Sequence, residues 1–302
     1  LLGRIKRYLK GNKVDLVVVC DSPSFNWHVA KFAKKLGVKT LFYVAPQLWA
    51  WAGWRIRKLR RLCDKLCCLL PFEEDWFGGR GIDVEFVGNP MLDAIQIEWG
   101  RAKQYAGFNP AYVRLGLMPG SRDAELKTLW QPMQRIALRI KDKYPGATFV
   151  AVAVDERRRR ALEESQIPGF ECEYAIDAVC QTANVVDFAI VASGSATLEV
   201  AAMGCPMVIM YQSSRILWHL VGRWLIKTKY LSLVNILAGK ELAPEFMPYF
   251  TSIEPIVESI EHFLRDKNKL AQLSRELTEL TKPLAEKKAG EEVARIVAEM
   301  LD

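Results

Sequence analysis

The sequence predicts an α/β protein of two Rossmann-like domains facing a cleft, the first of them incomplete at its start. Three observations carry that fold class. Short apolar runs closed by glycine, proline or serine turns alternate with helical stretches along the 302 residues, the pattern of parallel sheets with crossover helices. The stretch from Val191 to Tyr211 reads as strand, glycine turn, helix and strand, a compact βαβ unit. Composition shifts at Gly88-Asn89-Pro90-Met91-Leu92-Asp93, after which residues 95–114 are polar and aperiodic, as an interdomain linker would be. The expected domains are therefore 1–94 and 115–302, joined by 95–114, with the terminal helix a candidate to pack back on the first domain.

Taken in order, Leu1 to Lys10 sets apolar and basic residues at helical spacing, an amphipathic helix. It feeds directly into the strand Val14 to Cys20, an unusual opening for a sheet, so an upstream segment is expected to be absent. That strand ends in Asp21-Ser22-Pro23-Ser24-Phe25-Asn26, before a helix from Trp27 to Leu36. A carboxylate at the mouth of a parallel strand is a candidate catalytic group; the structural alternative makes Asp21 a helix N-cap. Asn26 suits either a cap or a substrate contact. The next strand, Val38 to Val44, runs into Pro46-Gln47-Leu48-Trp49-Ala50-Trp51 and the basic cluster Arg55 to Arg61. Large aromatics such as Trp49 and Trp51 call for cover, either between domains or by an apolar or acyl group. Leu66 to Leu70 and Val84 to Val87 are further strands.

In the second domain the strand Leu115 to Met118 ends in Pro119-Gly120-Ser121-Arg122, and a charged helix follows to Lys143. An arginine there can fork onto a phosphate. Strands at 149–154 and 170–174 and short helices lead to the central unit. Its turn, Ser193-Gly194-Ser195-Ala196-Thr197, is small enough for backbone N–H groups and hydroxyls to approach an anion at a helix N-terminus. Glu199, one turn later, is placed for sugar hydroxyls; a capped core helix with a solvated acid is the plain alternative. Two such turns at strand ends of one domain point to a nucleotide diphosphate. Beyond them, Ser214 to Lys227 reads as one Trp-rich basic helix, with Trp218, Val221, Trp224 and Leu225 on one face and Arg215, Arg223 and Lys227 around it. It suits a membrane surface or an interdomain or subunit contact. Asn235 and Glu241 are expected in a loop facing the cleft, and a charged helix broken near Pro283 ends the chain.

The net charge of +7 is clustered, and no nucleic-acid-binding motif accompanies it, so nucleic acid is not an expected partner. No apolar run approaches the length of a membrane span, and the start lacks a signal peptide's apolar core. The seven Cys and three His show no metal-ligand spacing, and a reducing cytoplasm suits unpaired cysteines. No metal and no cofactor is expected. Two facing Rossmann-like domains with a nucleotide in the second describe a GT-B glycosyltransferase or its epimerase relatives.

With Asp21 to Asn26, Tyr43 to Trp51, Leu70 to Glu73, Val87 to Pro90, Met118 to Arg122, Ala192 to Glu199 and Ser232 to Gly239 collected, the chain resembles the lipid-A-disaccharide synthases over nearly its whole length. That resemblance implies an inverting transfer from UDP-2,3-diacylglucosamine to 2,3-diacylglucosamine 1-phosphate, giving a β-1,6-linked disaccharide 1-phosphate and UDP. It implies Asp21 as general base, and a nucleotide and phosphate site of Ser121, Arg122, Ser193, Gly194, Ser195, Thr197, Glu199 and Asn235. It makes Asn26, Trp49 and Trp51 candidates for the acceptor or acyl chains. A peripheral enzyme on the cytoplasmic face of the inner membrane follows, with anionic lipid and a second copy of the chain as candidate partners. The sequence departs from the family where it lacks the glycine-rich Gly-Glu-Pro-Ser-Gly-Asp opening, and at Ser22 and Ser24, where the family often has Ala and Asp. Another UDP-sugar transferase, a 2-epimerase, or an inactive binding protein are the alternative readings.

Overall fold

The computed structural model describes all 302 residues, apart from the side chains of Leu217, Val221 and Arg223. Val221 and Arg223, assigned above to the Trp-rich helix, thus lie outside the described side chains. Two compact units result, Leu1–Ala94 with Trp224–Thr228 and Pro283–Asp302, and Ile95–Arg223 with Lys229–Lys282.

The first unit carries β1 (Leu16–Cys20), β2 (Lys39–Tyr43), β3 (Lys65–Cys68) and β4 (Val84–Phe86), a parallel sheet in sequence order. The helix Pro23–Lys35 starts with proline at its first position, where a missing N–H costs nothing, and buries Trp27, Val29, Ala30 and Ala33. Trp27 packs on Phe42 of β2 at 5.5 Å between rings. The sheet also receives the helix Ala289–Leu301, whose Val293, Ile296, Val297 and Met300 join Leu41, Cys67 and Val87. That i, i+3, i+4, i+7 stripe is the apolar face of an amphipathic helix. The approach to it is stitched by Asn89 N–H to Leu284 O (2.9 Å), Lys287 Nζ to Phe86 O (2.8 Å) and Ala289 N–H to Asp93 Oδ2 (2.7 Å).

In the second unit β5 (Arg114–Met118), β6 (Thr148–Ala153), β7 (Glu173–Ile176), β8 (Phe188–Ala192), β9 (Met207–Met210) and β10 (Glu245–Phe246) form a parallel sheet. Its order is β10-β9-β8-β5-β6-β7. All five residues of β8 and all four of β9 are buried, as expected of parallel strands covered on both faces. The chain runs outward from β5 through β6 to β7, then returns to the other side of β5 as β8. The winding therefore reverses between β5 and β8, the switch point where open α/β sheets bind ligands. Residues 95–114 fall within this unit, where Tyr105 is 6% exposed and donates its hydroxyl to Asp187 O (2.8 Å).

Three expected elements differ. The strand expected over 170–174 lies at Glu173–Ile176, because Phe170 is a core anchor, 4% exposed, ahead of the register with β6. The single helix expected over 214–227 is broken into Arg215–Leu217, a wider π turn at Trp218–Gly222, and Arg223–Leu225, with Gly222, a poor helix former, at the break. Asn235 is not in a loop: Ser232 caps a helix, Leu233–Ala238.

Candidate functional site

At the switch point β5 and β8 are neighbours, with Met118 beside Val191. The Pro-Gly-Ser-Arg turn and the Ser-Gly-Ser turn thus leave adjacent strands at the same edge. In the first turn an unanticipated carboxylate appears: Glu125 accepts from the N–H groups of Ser121 (3.0 Å) and Arg122 (3.1 Å). Gly120 has φ +101°, and a Cβ there would overlap Glu125 Oε2, so glycine is required. Glu125 seats the backbone, leaving the Ser121 hydroxyl and the Arg122 guanidinium for a ligand. Arg122 is 78% exposed and touches Glu125 at 3.3 Å, an ion pair weak enough in water to yield.

In the second turn the Ser193 N–H is spent on Met210 O (2.8 Å), extending the β8–β9 ladder. Thr197 is fully buried, and its hydroxyl donates to Gly194 O (2.7 Å), so it shapes the turn. Gly194 and Ser195 present their N–H groups with no hydrogen bond recorded among the described residues. Glu199 is half-buried and accepts from the Cys180 thiol at 3.5 Å. Burial raises its carboxyl above the usual range and the charge of Asp177 adds to this, while the thiol bond opposes.

Asn235 takes no place at that edge. It is fully buried, accepts from the N–H groups of Leu242 (2.8 Å) and Ala243 (3.0 Å), and donates to Ala243 O (2.7 Å) and Glu245 Oε2 (3.0 Å). Every hydrogen-bonding site of the amide is used within the protein. It ties residues 231–245 together, with Glu245 also holding Leu231 and Ser232.

In the first unit Asp21 leaves the end of β1 in the left-handed region, φ 46°, and so does Ser22, φ 41°. Each costs about 1–3 kcal/mol for a non-glycine residue. Ser22, not Asp21, is the N-cap of the helix Pro23–Lys35, so the capping alternative does not hold. Asp21 is exposed, its carboxylate has no recorded partner among the described residues, and its N–H donates to Tyr43 O (3.1 Å). Asn26, 8% exposed, donates Nδ2–H to Cys20 O (2.9 Å) and Asp21 O (2.6 Å).

The tryptophan loop is anchored by a second acid that sequence reading passed over. Glu73 is 3% exposed and accepts from Trp49 Nε1 (2.9 Å) and from the N–H groups of Leu69 (3.3 Å) and Leu70 (3.2 Å). Glu73 and Glu125 each stand three residues after a strand-to-helix turn, the capping-box position, and that spacing is the signal for both. Trp51 and Trp54 remain 40% and 70% exposed under the Arg55 guanidinium, at 5.1 and 4.8 Å. Lys227 N–H reaches Ala50 O (2.9 Å).

Burial pushes the Glu73 carboxyl up to about 7 against the three donors that favour its charge. A raised carboxyl binds its proton more tightly folded than unfolded, so the contribution is whole below about pH 4.5 and is lost as pH rises through 7. A melting series from pH 4.5 to 8 should show the first unit weakening by about 3 kcal/mol at most. Glu73→Gln should flatten that slope; an unchanged slope would assign it elsewhere.

A family model described as lipid-A-disaccharide synthetase matches residues 1–299. The lipid-A-disaccharide synthase of Geobacter metallireducens is 34% identical over 305 residues, covering 98% of this chain and 78% of the relative. That of Syntrophotalea carbinolica is 33% identical, covering 98% and 76%. Among solved structures, the spinosyn rhamnosyltransferase SpnG complexed with thymidine diphosphate superposes with a TM-score of 0.63 at 15% identity, covering 98% of this chain and 76% of that one. The UDP-GlcNAc 2-epimerase from Neisseria meningitidis bound to UDP-GlcNAc superposes with 0.58 at 14%, covering 99% and 80%. At that identity the likeness is one of fold, the GT-B architecture.

Proposed function

The chain belongs to the lipid-A-disaccharide synthase family, hexosyltransferases of lipid A biosynthesis, and on that premise we propose that it transfers the sugar of UDP-2,3-diacylglucosamine to the 6-hydroxyl of 2,3-diacylglucosamine 1-phosphate. The observation that carries the reading to residues is the pairing of β5 with β8, which brings two small, anion-tolerant turns to one switch point. There the Arg122 guanidinium, the Ser121 hydroxyl and the Gly194 and Ser195 amides take the departing diphosphate, and Glu199 takes the ribose hydroxyls. Asp21 accepts the proton of the attacking hydroxyl, and the anomeric carbon inverts as its bond to the diphosphate oxygen breaks. In this assignment the first unit serves the acceptor and the second the donor.

The acyl chains of both substrates reside in a bilayer, which suits a peripheral enzyme on the cytoplasmic face of the inner membrane. No helix among the described residues is long and apolar enough to cross a membrane. Support for surface docking comes from Trp54 and Trp224, each 70% exposed, and from the neighbouring Arg55, a combination favoured where headgroups meet acyl chains. Trp49, held by Glu73, and Trp51 are the proposed acyl contacts.

The reading is tested by incubating the protein with the diacyl UDP-sugar and the diacyl sugar 1-phosphate and separating the lipids by thin-layer chromatography. A disaccharide 1-phosphate is expected; epimerised UDP-sugar in its place would favour the epimerase reading. Calorimetric titration of UDP addresses the second unit separately. A carboxylate accepting ribose hydroxyls must be ionised, so affinity should fall as pH drops through the raised range of Glu199. Glu199→Gln should weaken UDP binding by about 10–100-fold, the worth of a charge-assisted hydrogen bond, and remove that pH dependence. Wild-type affinity in the variant would detach Glu199 from the ribose.

A further inference from the structure

We infer that Asn26 is a positioning residue that aims the Asp21 carboxylate and touches no substrate, an inference resting on Asp21 as the general base. Both hydrogens of its amide nitrogen are committed, at 2.9 Å to Cys20 O and 2.6 Å to Asp21 O. With both hydrogens committed and 8% of the residue exposed, the amide nitrogen has no donor left for an acceptor sugar. What it holds is unusual. Asp21 and Ser22 are consecutive non-glycine residues in the left-handed region, which L side chains avoid. Two carbonyls converge on one donor, an arrangement that is repulsive once the donor is removed.

The Asp21 peptide is thereby gripped on both sides. Its N–H is fixed to Tyr43 O on β2 and its C=O to Asn26, while no partner is recorded for the carboxylate among the described residues. The direction of the Cα–Cβ bond is therefore set by the backbone alone. Released from Asn26, the turn relaxes toward ordinary negative φ and swings the carboxylate away. A displacement of about 1 Å at a reacting group costs up to about 100-fold in rate.

The test compares steady-state disaccharide formation by the full chain with Asn26→Ala, Asn26→Asp, Asn26→Gln, Asp21→Ala and the Asp21→Ala/Asn26→Ala double variant. Melting temperature and UDP affinity report folding. Asn26→Ala should lower kcat about 10–100-fold with acceptor KM unchanged. Asn26→Asp, which sets a carboxylate against two carbonyls, should fall further. Asn26→Gln keeps both donors on a longer stem, should recover part of the loss, and provides the measurement if the alanine variant does not fold. The double variant should be no slower than Asp21→Ala. A raised acceptor KM at unchanged kcat, an additive loss in the double variant, or a wild-type rate in Asn26→Ala would overturn the inference. Wild-type turnover in Asp21→Ala would instead overturn the base assignment, a separate outcome read from a separate variant.

Discussion

Alanine at position 21 is expected to lower kcat for disaccharide formation by about 10²–10⁴-fold, the contribution of one positioned general base, while leaving UDP affinity and the melting temperature of the protein unchanged. The expectation follows from where Asp21 stands: at the end of β1, exposed, not capping the helix that follows, and held in a left-handed backbone conformation that costs energy. Asp21→Asn, which keeps the shape and removes the basicity, should match the alanine variant in kcat. KM for the acceptor should stay near its original value, because the proton transfer is realised only in the transition state. If either variant turned over at the wild-type rate, the proton would have to go elsewhere.

The largest effect on stability is expected at Gly88. Its φ of +87° is one that L side chains resist, and a Cβ would overlap the carbonyl oxygen of Lys287. That oxygen belongs to backbone, which cannot swing aside as a side-chain tip can. Gly88→Ala should therefore cost about 3–5 kcal/mol, the sum of a strained left-handed residue and an overpacked contact. The loss should concentrate where the chain is stitched by Asn89, Lys287 and Asp93. Hydrogen exchange would show it as faster exchange in Ala289–Leu301 and β4, with the core of the second unit protected as before. An unchanged denaturation midpoint would mean that the Lys287 backbone yields to the added methyl.

How far the sequence disclosed the site depended on whether the information was local. Strand ends, turns and the βαβ unit are written in short-range patterns, and Asp21 and Arg122 stand just past strand ends and Glu199 inside the helix that follows one, where those patterns put them. The family resemblance puts Asn235, and the small hydroxylated turn puts Thr197, among the ligand contacts, yet both are buried with their polar atoms bonded within the protein, since an Asn that closes a loop and one that meets a nucleotide look alike in sequence. Glu73 and Glu125 were missed for the converse reason. Their partners are backbone N–H groups, which every residue carries, so only the spacing from the turn marks them. The π turn in the Trp-rich stretch was hidden because an apolar-basic pattern fits a straight helix equally well, and only Gly222 hints at the break. The pairing of β5 with β8 is non-local, joining residues far apart in the chain, and no periodicity announces it.

The helix Ala289–Leu301 also bears on when the molecule can fold. Leu41, Cys67 and Val87 share their cluster with Ile296, a residue made roughly 200 positions later, which at ribosomal speeds is a delay of about 10–40 s. For that interval the first four-stranded sheet stands with an apolar face uncovered while the second unit is still being synthesised. The nascent chain is thus exposed to association through that face, and chaperone dependence should attach to β1–β4 rather than to the unit that emerges after them.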